Sequence, residues 1–394
     1  MKKGFLVFTL FNRFSYYLFL SFVTIYLHKI IDLSTDCSGD YYSGFSSIVY
    51  FSPIIFGFIA DRFGYLRIFH FGIIFAIIGY IMLPLELIGT KHADIIVPLL
   101  ILSLGLGSLN LIVPTLIGTY SQKVKDRKGY VKFVWYFFFI SLGSFLSKTV
   151  TKDINASDFG ESLSAIFIIS AFFLIIGYLI WFLTNRFGKK LRNDELNSNE
   201  KKSQAKRFWL IRILIISFLL IFISYGLSFY LSKHIINEPG LLPNRWTSFA
   251  DLILMLLFGF ILMQTKSLFY YQLIQLVKLG AFILGIVVFI SLIVAFVFQN
   301  GLNNTSSTIL FIIFESATTL IWPLLMYLVF ELAGEKHRGL IMGIYLALIS
   351  LAIYSIGFIN LLINKSKVFS LSLFLLIIGG VLFYIRDKQI KNIA

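Results

Sequence analysis

Charge is scarce in this chain. Only 13% of its 394 residues are Asp, Glu, Lys or Arg, while 58% are hydrophobic, and the mean hydropathy is +0.88. No soluble core of this length requires so much apolar surface, so a soluble globular protein is excluded. Cysteine is scarcer still: Cys37 is alone, which excludes an intrachain disulfide. The histidines His28, His70, His92, His234 and His337 are scattered along the chain. No metal-ligand spacing and no nucleophile–base set emerges from them, so an enzyme, a bound metal or a cofactor is not expected.

What is present is hydrophobic length. Apolar runs of spanning size occur at 4–30, 42–60, 68–89, 95–120, 131–150, 163–185, 208–232, 247–264, 269–298, 307–333, 339–363 and 368–385, twelve in all. The first is too long for a cleavable leader and is read as a retained span. The expected fold is an all-α membrane protein of twelve transmembrane helices.

Net charge is +15, which would suit nucleic acid if the bases were clustered on one surface. They follow the topology instead. With the N-terminus inside, Lys and Arg favour the inner segments by about three to one, which places both termini in the cytoplasm of a cell membrane. The basic excess then faces anionic lipid heads, and no nucleic-acid partner is expected. In this topology Cys37 falls in the first outer loop.

The longest polar interruption runs from Arg186 to Arg207 and mixes Lys189, Lys190, Asp194, Glu195, Glu200, Lys201 and Lys202. It divides the chain into an N-terminal six-helix bundle (1–186), a cytoplasmic linker (187–207) and a C-terminal six-helix bundle (208–394). Two such pseudo-symmetric halves imply a site between them near the bilayer midplane.

Arg13 interrupts the first run between Phe5 and Leu27. Counted from a helix start near Gly4, its guanidinium lies roughly 13 Å into the membrane. A charge at that depth costs at least ~2.5 kcal/mol, so it is expected to face a protein interior or a watery cavity.

The turn after the second run reads Gly57-Phe-Ile-Ala-Asp61-Arg62-Phe-Gly64-Tyr-Leu-Arg67. Gly57 permits close helix approach, Gly64 a tight turn, and Asp61 can cap or pair across an interface that opens and closes. A weaker echo, Glu335-Lys-His-Arg338-Gly339, follows the tenth run. The first turn resembles the G-x-x-x-D-R-x-G signature of the major facilitator superfamily. That resemblance gives Gly57, Asp61, Arg62, Gly64 and Arg67 a role in conformational gating.

Other stretches resemble the proton-dependent oligopeptide transporters of that superfamily. Asn12-Arg13-Phe14-Ser15-Tyr16-Tyr17 is similar to E-x-x-E-R-F-S-Y-Y. The segment Gly105 to Gly118, which contains Gly107, Asn110 and Pro114, is similar to G-x-G-L-F-K-P-N-x-S-x-L-x-G. Phe133 to Gly143, with Ser141, is similar to F-S-I-F-Y-M-G-I-N-L-G, and Arg338-Gly339-Leu-Ile-Met342-Gly343 to R-G-L-M-M-G. Coverage is good over the first five spans and thin afterwards.

The departures fall on the family's proton-coupling residues. Thr9 and Asn12 stand where it has glutamates, Asn110 where it has lysine and Ser141 where it has asparagine, and the seventh span is neutral around Ser224–Ser228. Losing acid and base together avoids stranding a buried charge. Glu315 in the tenth span is read as a displaced equivalent of the family's acid, which aligns with Thr318.

The resemblance implies a divergent member that binds di- or tripeptides, or related zwitterions, and moves them as a symporter or with proton coupling reduced or lost. Arg13 would take the solute carboxylate. Glu315 would take its ammonium and carry the proton. Asn12, Tyr16, Tyr17, Asn110, Ser141, Thr318, Thr319 and Trp322 would complete the binding set. Packing tyrosines and an interhelical hydrogen bond at Asn110 stay open beside that reading. Lys278 and Glu86 are read as structural or snorkelling, and Pro53, Pro84, Pro114 and Pro323 as kinks. The alternatives are a facilitator carrier of another small solute, such as a drug or sugar, and a non-transporting receptor-like member. A monomer is expected.

Overall fold

The computed structural model describes residues 4–85, 93–123, 128–152, 163–186, 204–230, 244–265, 268, 270–297 and 304–362. The twelfth run, Glu86 and most of the linker lie outside these. Each of the first eleven runs becomes one helix: α1 (Gly4–Lys29), α2 (Thr35–Phe63), α3 (Tyr65–Met82), α4 (Ala93–Lys123), α5 (Gly129–Lys152), α6 (Leu163–Arg186), α7 (Gln204–Tyr230), α8 (Asn244–Gln264), α9 (Tyr270–Val297), α10 (Asn304–Leu332) and α11 (Arg338–Leu362). Eight of the helices are long and apolar enough to cross a bilayer, and the chain is an all-helical integral membrane protein. Hydrocarbon offers no hydrogen bonds, so a spanning segment of this composition satisfies its backbone as helix.

Local chemistry sets the boundaries. Asp32 adopts φ 60°, a left-handed conformation that Asp tolerates, and it ends the turn after α1. Ser34 then caps α2, its Oγ accepting from the Cys37 N–H at 3.2 Å. Cys37 is therefore in the first turns of a helix, a correction to its expected place in a loop, because Ser34 starts α2 well before the apolar run does. Gly64, at φ 95°, supplies the turn between α2 and α3 that a side chain would strain. Pro53, Pro114 and Pro323 lie inside continuous helices, whereas Pro84 sits in the 3-10 turn Leu83–Leu85 that closes α3. At the end of the linker, α7 has already begun at Gln204.

The chain forms two compact units. The first comprises Met1–Lys125, Trp135–Glu200 and Gly334–Ala347; the second comprises Asp126–Val134, Lys201–Ala333 and Leu348–Ala394. The start of α11 thus packs with the first six helices, and the start of α5 packs with the later ones.

In the first unit, α1 packs on α6, and α4 packs on both α3 and α2. Small residues set how closely they approach. A Cβ on Gly105 of α4 would meet the Gly72 carbonyl at 2.8 Å and Ala76 Cα at 2.9 Å, both on α3. A Cβ on Gly107 would lie 2.8 Å from the Val49 carbonyl of α2, so Gly107 serves the packing of α4 on α2. Aromatic rings fill the layer between α1, α3 and α6: Phe8 against Phe69 at 4.9 Å and Tyr26 against Phe167 at 4.8 Å. In the second unit α10 is central, touching α7, α8 and α9, and a Cβ on Gly280 of α9 would lie 3.1 Å from the Ala317 carbonyl. Ile55, Ile74 and Phe172 are more than half exposed, which is the surface a bilayer covers.

A cavity of about 290 Å³ opens between α2 and α4, with Cys37, Gly44, Phe45, Ile48 and Leu99 among its lining.

Gly105→Leu is expected to overpack the α3–α4 contact by about 1–3 kcal/mol. The check is the thermal midpoint of the detergent-purified protein, which should fall clearly, while Gly39→Leu, where a Cβ meets nothing within 4 Å, should leave it nearly unchanged.

Candidate functional site

Arg13 lies in the middle of α1 and is surrounded by phenols from four helices of the first unit. Its guanidinium donates to the Tyr136 hydroxyl oxygen of α5, with Tyr17 of α1 and Tyr50 of α2 also acting on it. It stands 5.8 Å from the centre of the Tyr16 ring, in cation–π range. Tyr16 and Tyr50 are hydrogen-bonded to each other, Tyr16 and Tyr17 meet edge to face at 5.3 Å, and Tyr80 of α3 feels the same charge. The Nε of Arg13 has no partner among the described residues. A guanidinium is permanently charged, and the groups that act most strongly on it here are all neutral phenols.

The sequence placed Arg13, Tyr16 and Tyr17 in the site, and the structure brings these three together. It adds Tyr50, Tyr136 and Tyr80, which sequence reasoning missed. The glycine of the third matched stretch has a positioning role: a Cβ on Gly143 would lie 2.8 Å from the Leu10 carbonyl and 2.9 Å from Arg13 Cβ. Its absence lets α5 rest on α1 beside the charge, bringing Tyr136 within reach.

The neutral substitutions are buried. Thr9, Asn12, Asn110 and Ser141 are 1%, 3%, 8% and 6% exposed. Thr9 returns its hydroxyl to the Phe5 carbonyl of its own helix at 2.8 Å, while Asn12 Oδ1 has no partner among the described residues. On α10, in the second unit, Thr318 and Thr319 are buried and Trp322 is half-buried. Glu315 is on the same helix, one turn before Thr319, and its side chain lies outside the described residues.

The Asp61 motif meets its echo. The Asp61 carboxylate, at the end of α2, accepts the Gly339 N–H at 2.7 Å and the Leu340 N–H at 2.9 Å. These are open donors in the first turn of α11, which an acid satisfies by both charge and hydrogen bonding. Tyr65 donates to the same carboxylate at 2.6 Å. The helices touch closely enough that a Cβ on Gly339 would lie 2.6 Å from the Gly57 carbonyl, and one on Gly343 would strike Pro53. Arg62 lies over the Phe58 ring at 4.0 Å, and Arg67 is exposed.

A second contact of opposite polarity had no motif to announce it. Lys128, just before α5, donates to the Met263 and Thr265 carbonyls at 2.7 and 2.5 Å. These acceptors are at the C-terminus of α8, the end of a helix that favours a cation. Tyr130 accepts from the Leu268 N–H at 3.2 Å, and Phe133 packs on Tyr327 and Phe330 of α10 at 5.6 and 5.7 Å.

Asp61→Ala leaves two helix N–H groups without an acceptor and should cost about 1–3 kcal/mol, with Asp61→Asn intermediate. Lys128→Met should cost about 1 kcal/mol or less. Chemical denaturation of the purified protein followed by tryptophan emission measures both, and an order with Lys128→Met the more damaging would contradict this assignment.

Comparison with known proteins follows this geometry. The family model of the Major Facilitator Superfamily matches residues 5–357. Among curated proteins, a dipeptide and tripeptide permease A of Pectobacterium carotovorum is 28% identical over 166 residues, covering 41% of this chain. The match spans only about a third of that permease, 32% of its length. Among solved structures, a human organic anion transporter aligns with a TM-score of 0.73 at 12% identity, over 98% of both chains. A POT family transporter in complex with 5-aminolevulinic acid gives 0.70 at 15%, over 97% of this chain and 95% of its own. A facilitator transporter, FucP, in the outward conformation gives 0.69 at 15%, over 96% of both.

Proposed function

Because the chain belongs to the Major Facilitator Superfamily, we propose that it is a secondary carrier of small peptides or related zwitterions, working by alternating access in a cell membrane with both termini cytoplasmic. The observation that carries this reading is the Arg13 centre. A permanent cation held deep in α1 by phenols from α1, α2 and α5 suits a carboxylate, which a guanidinium grips with two parallel hydrogen bonds. The likeness to a dipeptide and tripeptide permease supports peptides as the first substrates to try. Asn12, Asn110 and Ser141 of the first unit, and Thr318, Thr319 and Trp322 of the second, remain the candidates for the rest of the solute.

Gating is assigned to the Asp61 contact with α11, together with Gly57, Arg62, Gly64 and Arg67. The bonds are made to helix-end N–H groups, and they break as one cooperative set when the helices part. Glu315 is the candidate proton carrier. Coupling is weakened by the neutral residues at Thr9, Asn12 and Asn110, where the resembled transporters have charges. A second reading, a facilitator of another solute, is favoured by the breadth of fold relatives, which include a proton:xylose symporter with a TM-score of 0.69.

The test is uptake of labelled di- and tripeptides into proteoliposomes, with and without an inward pH gradient. Arg13→Ala should lower apparent affinity by about tenfold or more, as expected for a lost charge-assisted pair. If Glu315 carries the proton, a gradient should stimulate the native protein and not Glu315→Gln. Equal, gradient-insensitive uptake by both would remove Glu315 from the mechanism.

A further inference from the structure

The geometry points to a carrier that selects its solute by the carboxylate alone, with the ammonium dispensable, so that N-blocked peptides and amine-free organic anions are bound as well as free peptides. This rests on the reading above that Arg13 faces the solute path, and it names which part of the solute that site requires.

The shell around Arg13 is built for an anion. Its members Tyr16, Tyr17, Tyr50 and Tyr136 bring hydroxyls from three helices to one guanidinium. A phenol that accepts a hydrogen bond from the guanidinium, as Tyr136 does, keeps its own O–H to donate elsewhere. The centre therefore offers an incoming group a positive charge and O–H donors. A carboxylate gains from both, whereas an ammonium, although a phenol oxygen can accept from it, meets the like charge of the guanidinium.

The surrounding helix positions do not redress this. A dipeptide's ammonium lies within roughly 7 Å of its carboxylate even when fully extended. Neutral residues stand at Thr9 and Asn12 of α1, Asn110 of α4 and Ser141 of α5, all of them buried. No carboxylate is among the groups that act most strongly on Arg13. Asp61 is engaged with the Gly339 and Leu340 N–H groups, and Asp94 is in the first turn of α4, more than four turns from Asn110. An ammonium placed near Arg13 would face a like charge, and the described groups that act most strongly there are phenols and not acids. Glu315 lies on α10 in the second unit, and a residue that cycles a proton is neutral for part of each turnover.

Four probes separate the groups: Ala-Ala, N-acetyl-Ala-Ala (carboxylate only), Ala-Ala amide (ammonium only) and 3-phenylpropionate (carboxylate, no peptide). Binding to the purified full-length protein is read by thermal stabilisation at millimolar probe, and transport by counterflow in proteoliposomes. The expected result is that Ala-Ala and N-acetyl-Ala-Ala bind within about threefold of each other and the amide about tenfold or more weaker, a gap of one charge-assisted contact. Tyr136→Phe should weaken all carboxylate probes together. Arg13→Lys, which keeps the charge and loses the planar fork, should do the same while its unliganded melting stays close to native. A tenfold preference for Ala-Ala over its N-acetyl form, abolished in Glu315→Gln, would overturn the inference and leave the peptide reading standing. Binding of 3-phenylpropionate but of neither peptide would sink the peptide reading and the peptide half of the inference, leaving only the carboxylate requirement at Arg13. Binding of none, or binding indifferent to Arg13→Lys and Tyr136→Phe, would overturn it outright.

Discussion

Hydrocarbon accepts no backbone hydrogen bond, and that single constraint organises this molecule. Each span must satisfy its N–H and C=O groups within itself, so the only backbone atoms left to negotiate are in the first and last turns. Two of the polar contacts that tie separate stretches of chain together fall at those turns. Asp61 meets the open N–H groups of α11, and Lys128 meets the open carbonyls of α8. An acid serves one pole of a helix and a base the other, as the macrodipole requires. Between the ends, helices meet through small residues: Gly72, Gly105, Gly107 and Gly143 let backbones approach to near contact. The van der Waals energy of that approach replaces a hydrophobic drive that lipid cannot supply.

Against this background Arg13 is an expensive feature of the first unit. A charge in a span is tolerated where polar groups replace its water, and here the replacement is a set of tyrosine hydroxyls. Tyrosine fits the task because its ring tolerates apolar neighbours while its oxygen accepts from the guanidinium. A glutamate in the same shell would form a salt bridge with Arg13 and neutralise it. Phenols solvate the charge without cancelling it, and the positive potential remains for a solute.

The fold was largely legible because the signal for it is local. Apolar length gave eleven helices close to their observed bounds, with errors where polar caps extend a helix past its apolar run: Ser34 starts α2 early, and Gln204 starts α7 inside the linker. The Asp61 motif was legible as a spacing, and so was its echo near Gly339. Their meeting was not, since 278 residues separate Asp61 from Gly339 and nothing local encodes it. Lys128 was read as one more inward-facing base, because its role depends on carbonyls 135 and 137 residues away. Tyr50 and Tyr136 look in sequence like ordinary aromatics of a Phe-rich chain. Only the glycine at 143, by letting α5 close on α1, makes Tyr136 a ligand of the cation.

The lone cysteine carries a practical consequence. Cys37 stands in the opening turns of α2, beside a cavity of about 290 Å³ between α2 and α4, and the chain has no other thiol. The native protein thus accepts a single nitroxide or fluorophore with no mutagenesis. Because α2 is the same helix that carries Asp61 at its far end, a probe there reports on the helix that the Asp61 bonds tie to α11. Spectroscopy can follow that helix in the unaltered chain, inside a bilayer, as solute is added.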